Sequence, residues 1–246
     1  MEITLDEGYQ FGLGLFETIA VEQGVPLLLS AHLERLHDSM RYFQLHQTVR
    51  EEEIFTYLAR HDGAHHGLKL MVSQENVVMT LRENPYTPAR YAKGFTLDYS
   101  PVYRNETSCL TYHKTMNYGD CILEKRRARS LGVDELVFRN SRGELCEGTT
   151  TNLFFVRSGV LYTPPVSCGL LPGVMRRYVM EHFPVRERVL FLEDVPTMEE
   201  CFVTNSLLGI MPVVSLGDVF FFQHTVTAQC EAQWRHDRNA AVQRGR

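Results

Sequence analysis

Lys114 and Tyr118 are the first residues whose types and spacing suggest chemistry. They are four residues apart, one turn if the chain there is helical, so both side chains can face one ligand. A lysine amine in suitable surroundings bonds covalently to a carbonyl compound, and a tyrosine hydroxyl can contact a nearby oxygen. A solvated surface lysine is the ordinary alternative, and the other candidate residues decide between the two interpretations.

An acid and an anion site occur further along the chain. Glu147 precedes a threonine-rich stretch, where it is either a turn carboxylate or a group that holds a protonated ring nitrogen. Residues 171–175 open a predicted helix, and the free amides and positive dipole end of a helix start bind phosphate. Arg35 and the Ser206 hydroxyl could complete this anion site.

Together these groups match what pyridoxal 5'-phosphate requires. The cofactor needs a lysine for its aldehyde, an acid for its pyridine nitrogen, an anion site for its phosphate and a contact for its phenolic oxygen. Lys114, Glu147, the helix start at 171–175 and Tyr118 provide one candidate for each. Each signal alone is weak, and only the set predicts this cofactor.

Hydrophobic periodicity predicts an α+β framework that positions these residues. The second predicted helix opens at Thr48 and ends near Gly63, and the last begins at Gln223. The polar run 103–108 predicts a boundary between two domains. We therefore expect a small α+β domain over residues 1–103, a linker over 104–110 and a larger domain over 111–246. Strands are predicted over residues 16–21, 25–29, 68–73, 76–81, 95–102, 135–139, 152–157, 160–163 and 200–204.

Composition narrows the function classes. The net charge of −5 over 246 residues gives no sign of a nucleic-acid or anionic membrane surface. No apolar run approaches the roughly 20 residues that span a bilayer, and the acidic start lacks the features of a secretion signal. The six cysteines form no Cys-x-x-Cys pair and no zinc spacing, which predicts free thiols and no metal site. We expect a cytoplasmic protein that acts on a small molecule.

Six segments of the chain resemble the fold-type IV pyridoxal-phosphate enzymes. That group contains branched-chain aminotransferases, D-amino acid aminotransferases and aminodeoxychorismate lyases. The resemblance runs nearly from end to end and implies a small α+β domain, a linker and a larger pseudo-barrel domain, usually in a homodimer. The matching segments are residues 11–18, 32–36, 114–118, 147–154, 171–176 and 204–207.

The resemblance also implies a role for each candidate residue. Lys114 would bond to the cofactor aldehyde and transfer protons, Glu147 would pair with the pyridine nitrogen, and Tyr118 would contact the ring oxygen. The phosphate would be held by Arg35, Ser206 and the amides of Val174 and Met175.

Within this group the chain is most similar to the aminodeoxychorismate lyases, through Phe16-Glu17-Thr18 and the Lys114 and Asn205 segments. This implies release of pyruvate from 4-amino-4-deoxychorismate to give 4-aminobenzoate for folate biosynthesis, with Lys114 taking the proton from the ring carbon that bears the amine. Thr18 would protonate the leaving group. Lys69 and Asn205 would lie on the substrate side, and Lys69 and Arg104 are candidates for the substrate carboxylates. An exposed strand face is the ordinary alternative for Lys69.

Two other functions remain open from the sequence. An aminotransferase for branched-chain or D-amino acids would use the same cofactor and fold. Branched-chain aminotransferases, however, resemble Phe-Glu-Gly-x-Arg where this chain has Phe16-Glu17-Thr18, and no Arg-x-His pair occurs near residues 70–90. The other alternative is a binding or structural protein that keeps the fold without the chemistry.

Overall fold

The computed structural model describes residues 2–61 and 65–245 and divides the chain into two compact units. Unit 1 contains the residues up to Pro85, the short segment His113–Asn117 and the residues from His236 onward. Unit 2 contains Tyr86–Tyr112 and Tyr118–Arg235. The predicted helix end near Gly63 lies outside the described residues. Within the described ranges, no helix is both long and apolar enough to cross a membrane.

Unit 1 is a four-stranded antiparallel sheet covered by helices on one face. The strand order is β2-β1-β3-β4. Alternation along β1 sends Leu15, Ile19 and Val21 into the core and Phe16 and Thr18 to the opposite face. The elements are α1 (Glu7–Phe11), β1 (Leu15–Glu22), β2 (Val25–Pro26), α2 (Leu29–Tyr42), α3 (Glu51–Leu58), β3 (His65–Val72) and β4 (Val77–Glu83).

The core of unit 1 lies between the sheet and helices α2 and α3. Leu33, Leu36 and Met40 are spaced three or four residues apart and form the buried stripe of α2. The helix starts at Leu29, directly after Leu28, which adopts a left-handed conformation. Helix α3 starts at Glu51, three residues after the predicted opening at Thr48.

Unit 2 contains a sheet that closes on itself. Strands β8, β11, β12, β5, β6 and β7 follow one another, and β7 pairs back to β8 to complete a six-stranded barrel. Strands β9, β10 and β13 extend it. The strands are β5 (Phe95–Arg104), β6 (Glu135–Asn140), β7 (Leu145–Gly148), β8 (Asn152–Arg157), β9 (Val160–Thr163), β10 (Val185–Glu187), β11 (Glu200–Asn205), β12 (Gly209–Leu216) and β13 (Val219–Phe220).

Apolar side chains of the barrel strands form the main core of unit 2. Phe155 and Val203 are completely buried there, and Phe154 stacks on Phe202 with ring centres 4.9 Å apart. These strands read as continuous apolar runs because both faces are covered. The predicted α+β fold with a pseudo-barrel domain is confirmed. The helices are α4 (Pro88–Lys93), α5 (Gly119–Ser130), α6 (Val174–His182) and α7 (Thr225–Arg244), whose last residues belong to unit 1.

The division between the units differs from the predicted boundary at residue 103. Strand β5 pairs with β6 and β12, so residues 86–104 belong to unit 2. The segment His113–Asn117 belongs to unit 1 although the chain on both sides of it belongs to unit 2. Sequence composition indicates polar connecting segments, but it does not indicate with which sheet a strand pairs. The boundary was therefore predicted from the polar run at 103–108.

Candidate active site

The backbone of Lys114 is fixed to strand β1 in unit 1. The Phe16 amide donates to the Lys114 carbonyl at 2.9 Å, and the Met116 amide donates to the Gly14 carbonyl at 2.7 Å. Between these bonds, Leu15 and Thr115 form an isolated antiparallel bridge. The lysine therefore stands on a short strand-like segment that β1 holds by main-chain bonds, before α5 begins.

Two lysine amines share the ring of Phe16. Lys114 Nζ lies 4.4 Å and Lys69 Nζ 4.7 Å from its centroid, within cation–π distance. Lys69 is half-buried on β3, directly across from Thr18 on β1. Burial lowers the pKa of Lys69, and the positive charge of Arg82 lowers it further. Thr18, Lys69 and Lys114 therefore belong to one region of unit 1.

His113, next to Lys114, is enclosed by the end of α2. Its ring stacks on Tyr42 with centres 4.5 Å apart and meets Phe43 edge-on at 5.1 Å. Its Nδ1 atom lies 2.9 Å from the Ser39 hydroxyl. Burial lowers the pKa of His113, so the imidazole is neutral near pH 7. Sequence reasoning did not identify these contacts, which add side-chain support to the Lys114 segment.

Arg35 forms a fork with the buried carboxylate of Glu17. Its Nε donates to Glu17 Oε1 at 2.8 Å and its Nη2 donates to Oε2 at 2.6 Å. His32 Nδ1 lies 2.7 Å from Oε2. The carboxylate fixes one edge of the guanidinium, as bidentate pairs do. The predicted contact of Arg35 with phosphate stays a prediction, and the structure adds the partner that orients this side chain.

Glu17, Arg35 and His32 form one group whose protonation states depend on each other. Burial by itself would raise the pKa of Glu17, but the guanidinium of Arg35 and the hydrogen bond from His32 hold it well below its usual range. Burial lowers the pKa of His32. Its Nε2 atom is buried without a hydrogen-bond partner among the described residues, so a proton there would be unsatisfied. His32 is therefore neutral and donates through Nδ1.

Glu147 is held at the end of β7 in unit 2, where 5% of its surface is exposed. Arg104 Nη2 donates to its Oε1 atom. The Leu171 amide donates to Oε2 at 3.1 Å, and the Asn152 side-chain amide does so at 3.4 Å. These donors fix the plane of the carboxylate and stabilise its ionised form, as an acid that pairs with a protonated ring nitrogen requires.

Arg104 was expected to contact a substrate carboxylate, and its observed carboxylate partner is Glu147. Its guanidinium carbon also lies 5.3 Å from the centre of the Phe138 ring. Burial alone would lower the pKa of Arg104, but the Glu147 charge outweighs this and raises it. The sequence indicated a cation here without indicating its partner. Contact of Arg104 with substrate stays a prediction.

Tyr118 and Asn205 bond to the loop after Glu147. The Tyr118 hydroxyl donates to the Thr149 carbonyl at 3.0 Å, and burial raises the pKa of this phenol well above its ordinary value. Asn205 Nδ2 donates to the Thr150 carbonyl at 3.2 Å, while its Oδ1 accepts the amides of Leu207 and Leu208. Both residues thus have structural tasks, and their predicted contacts with cofactor and substrate stay predictions.

Glu135 organises the same loop, and sequence reasoning missed it. This completely buried carboxylate accepts the Thr149 amide at 3.0 Å and the Thr150 hydroxyl at 3.0 Å. Lys125 Nζ lies 3.3 Å away. An acid at the first position of the apolar strand β6 was the available signal, because a buried charge needs several partners.

The start of α6 presents main-chain donors in unit 2. Gly173 precedes the helix, which has no side-chain cap, so the amides of Val174 and Met175 are the open donors of its first turn. A Cβ at Gly173 would overlap Asn152 Oδ1, which explains glycine there. Thr204 Oγ1 is buried without a partner among the described residues, and Ser206 follows two residues later. This is a neutral, donor-rich set suited to a phosphate.

The donor types of the two units, taken separately, fit pyridoxal 5'-phosphate. Unit 1 provides an amine on a fixed backbone and an oriented guanidinium. Unit 2 provides an ionised carboxylate, helix-start amides and an unsatisfied hydroxyl. These are the groups that an aldehyde, a ring nitrogen and a phosphate require.

Comparison with known proteins agrees with this chemistry. The family model for amino-transferase class IV matches residues 14–216. A protein of Methanocaldococcus jannaschii, provisionally named a branched-chain-amino-acid aminotransferase, is 29% identical over 86% of this chain and 81% of its own length. The aminodeoxychorismate lyase of Bacillus subtilis is 26% identical over 87% of this chain and 81% of its own. The crystal structure of 4-amino-4-deoxychorismate lyase from Pseudomonas aeruginosa superposes with a TM-score of 0.87, at 26% identity and 96% coverage of both chains.

Proposed function

Because the chain belongs to the amino-transferase class IV family, whose fold-type IV members depend on pyridoxal 5'-phosphate, we propose that it is an aminodeoxychorismate lyase. It converts 4-amino-4-deoxychorismate to 4-aminobenzoate and pyruvate, for folate biosynthesis. The relatives in Bacillus subtilis and Pseudomonas aeruginosa bear that name. The protein acts in the cytoplasm as a homodimer, and light scattering of the purified protein measures the oligomeric state.

The observation that carries this proposal is the position of Lys69. This half-buried amine shares the Phe16 ring with Lys114, and no acidic partner faces it among residues 2–61 and 65–245. A half-buried cation is stabilised by an anion. The lyase substrate provides two carboxylates for this purpose, whereas a branched-chain amino acid provides only its α-carboxylate.

Each residue then has a defined task. When bound, the cofactor withdraws electrons from the carbon that bears the substrate amine, which makes its proton acidic. Lys114 Nζ takes that proton, Glu147 holds the ring-nitrogen side, and Tyr118 holds the ring-oxygen side. Arg35, Ser206 and the amides of Val174 and Met175 hold phosphate. Lys69 holds a substrate carboxylate, and Asn205 keeps the loop around Thr150 in place.

Thr18 is the proposed donor to the departing pyruvyl oxygen. It lies directly across from Lys69 on the adjacent strand. Replacing Thr18 by alanine should lower kcat by about 10²-fold, the lower range for a positioned proton donor. Thr18→Ser keeps the hydroxyl and should retain most of the activity. Unchanged turnover in Thr18→Ala removes Thr18 from the mechanism.

An aminotransferase is the second candidate, and the Methanocaldococcus jannaschii relative supports it. The deciding experiment incubates the purified holoenzyme with 4-amino-4-deoxychorismate and follows 4-aminobenzoate and pyruvate. A parallel sample receives branched-chain or D-amino acids with 2-oxoglutarate. Formation of 4-aminobenzoate supports the lyase, and efficient keto-acid formation without it refutes the lyase.

Lys114→Ala is the control for the cofactor chemistry. The wild-type protein should show a visible absorbance band that borohydride removes by fixing the cofactor to the protein. The variant should lack this fixation and all activity. Activity that survives in Lys114→Ala would assign the amine to another residue.

A further inference from the structure

The face of the unit 1 sheet opposite its core has a regular composition. Cross-strand partners on β1, β3 and β4 place its side chains in three rows, because residues two apart on a strand point to the same side. We call these nine positions the Lys69 face. The rows are Phe16–Met71–Val78, Thr18–Lys69–Thr80 and Ala20–Gly67–Arg82.

Each row has its own chemistry. The first is apolar, and its Phe16 ring lies beside the Lys69 and Lys114 amines. The second places the Lys69 amine between the hydroxyl-bearing residues Thr18 and Thr80. The third consists of two small buried residues, Ala20 and Gly67, followed by the exposed Arg82. This arrangement suits a flat ring next to anionic substituents.

The Lys69 face carries two positive charges and no acidic residue. Glu17 lies on the opposite side of β1 and contacts Arg35. Glu22 lies on the same side as the Lys69 face, in the next row beyond Ala20 and Gly67, and contacts His65. Neither Lys69 nor Arg82 bonds to a carboxylate within the part of the chain that the structure describes. Other arginines of unit 1 do pair with acids, for example Arg41 with Asp38 and Arg50 with Glu53.

Lys69 and Arg82 are close enough to act on one ligand. Arg82 is two residues beyond Thr80, the direct partner of Lys69, and such diagonal neighbours are within reach of long side chains. Arg82 is exposed, whereas Lys69 is half-buried. Two cations at this spacing repel each other, and a ligand with two negative groups removes that repulsion.

We propose that the Lys69 face selects substrates with two carboxylates, Lys69 binding one and Arg82 the other. This inference rests on the proposed function in taking Lys69 to face the substrate. It adds Arg82 as the residue that distinguishes a dicarboxylate from a monocarboxylate. Arg82 thus sets specificity without contacting the reacting atoms.

The test compares two unreactive probes, benzoate and benzene-1,3-dicarboxylate, by calorimetry on the holoenzyme. The wild-type protein should bind the dicarboxylate about fivefold to tenfold more tightly, as expected for one additional partly exposed ion pair. Arg82→Gln should bring the two affinities close together, and Arg82→Lys should restore part of the difference. A preference that survives in Arg82→Gln overturns the proposal.

Arg60→Gln is the matched control. Arg60 is an exposed cation of the same unit and lies outside the Lys69 face. This variant makes the same change in net charge, so equal loss of preference in Arg60→Gln would indicate a general charge effect and overturn the proposal.

The same variants separate this inference from the lyase assignment. If 4-aminobenzoate forms, Arg82→Gln should raise KM about fivefold to tenfold with kcat nearly unchanged, and an unchanged KM overturns the inference alone. If no 4-aminobenzoate forms but the probe preference depends on Arg82, the inference is supported and the lyase assignment fails.

Discussion

Each unit buries a carboxylate against an arginine, and the two differ in what surrounds them. Glu17 of unit 1 is 1% exposed and bonds to Arg35 through both oxygens, with His32 as a second partner. Glu147 of unit 2 is 5% exposed and bonds to Arg104, a backbone amide and a side-chain amide. Glu17 orients the Arg35 side chain from within the fold, whereas Glu147 is suited to face a cationic ligand.

This difference shows that burial and pairing alone do not identify a functional acid. Breaking a buried pair leaves an uncompensated charge whatever its role. The roles separate when stability and chemistry are measured on the same variants.

Replacing Glu17 by glutamine should destabilise the protein most. Arg35 would lose its charged partner in a buried setting, which costs about 3–5 kcal/mol when one member of a buried pair is removed. Urea unfolding measures this change. Glu53→Gln, which alters an exposed pair with Arg50, should leave the unfolding midpoint where it is. A midpoint for Glu17→Gln equal to that of Glu53→Gln would contradict the bracing role.

Replacing Glu147 by glutamine should impair chemistry more than stability. The amide keeps the shape but cannot neutralise a protonated ring nitrogen, so kcat should fall by about 10²- to 10³-fold, as when a preorganised electrostatic partner is lost. Turnover of 4-amino-4-deoxychorismate and the absorbance of the bound cofactor measure this. A variant that is as active as wild type but less stable would show that Glu147, like Glu17, stabilises the fold and does not take part in the chemistry.

Replacing Gly173 by alanine should disturb Glu147 without affecting Glu17. The new methyl group would overlap Asn152 Oδ1, and Asn152 donates to Glu147. Overpacking of this kind costs about 1–3 kcal/mol, and the shifted start of α6 should weaken cofactor binding several-fold. Gly119→Ala is the control, because nothing lies within 4 Å of its Cβ position. Equal cofactor affinity in the two variants would contradict this arrangement.

Stability should fall in mild acid because of His32. The pKa of His32 in the folded protein is below its ordinary value of 6.5, so the unfolded chain takes up the proton first. The contribution is complete above about pH 6.5 and is lost as the pH falls below that value, with a slope of at most about 1.4 kcal/mol per pH unit. Urea unfolding between pH 7.5 and 5.5 measures the slope, and His32→Gln should reduce it. An identical slope in the variant would assign the effect to other groups.

Local pattern was sufficient for much of the fold. The alternation in β1 and the proline-glycine start of α6 are signals within a few residues, and both elements occur where predicted. Strand β12 was missed because Pro212 and Gly209 interrupt its apolar run, although Pro212 faces Phe202 in the sheet. Strand β5 was predicted without its pairing, because its parallel partners β6 and β12 are distant in the sequence.

The side-chain partners of the candidate site were the least predictable part. Arg35 and Glu17 are 18 residues apart, and Arg104 and Glu147 are 43 apart, so only the folded chain brings them together. The family resemblance assigned ligands to Arg35 and Glu147 but gave no information about what orients them. Sequence reasoning suggests which groups react, and the structure shows which groups hold them still.

The barrel of unit 2 is closed by a very short strand pairing. Strands β7 and β8 share a single residue pair, Glu147 with Asn152, whereas β11 and β8 share five. The acid proposed to hold the cofactor therefore also belongs to the residue pair that closes the barrel. A ligand that binds Glu147 only while this pair is formed stabilises the closed barrel. Amide hydrogen exchange along β7 and β8 should therefore slow when the cofactor is added, before any substrate is present.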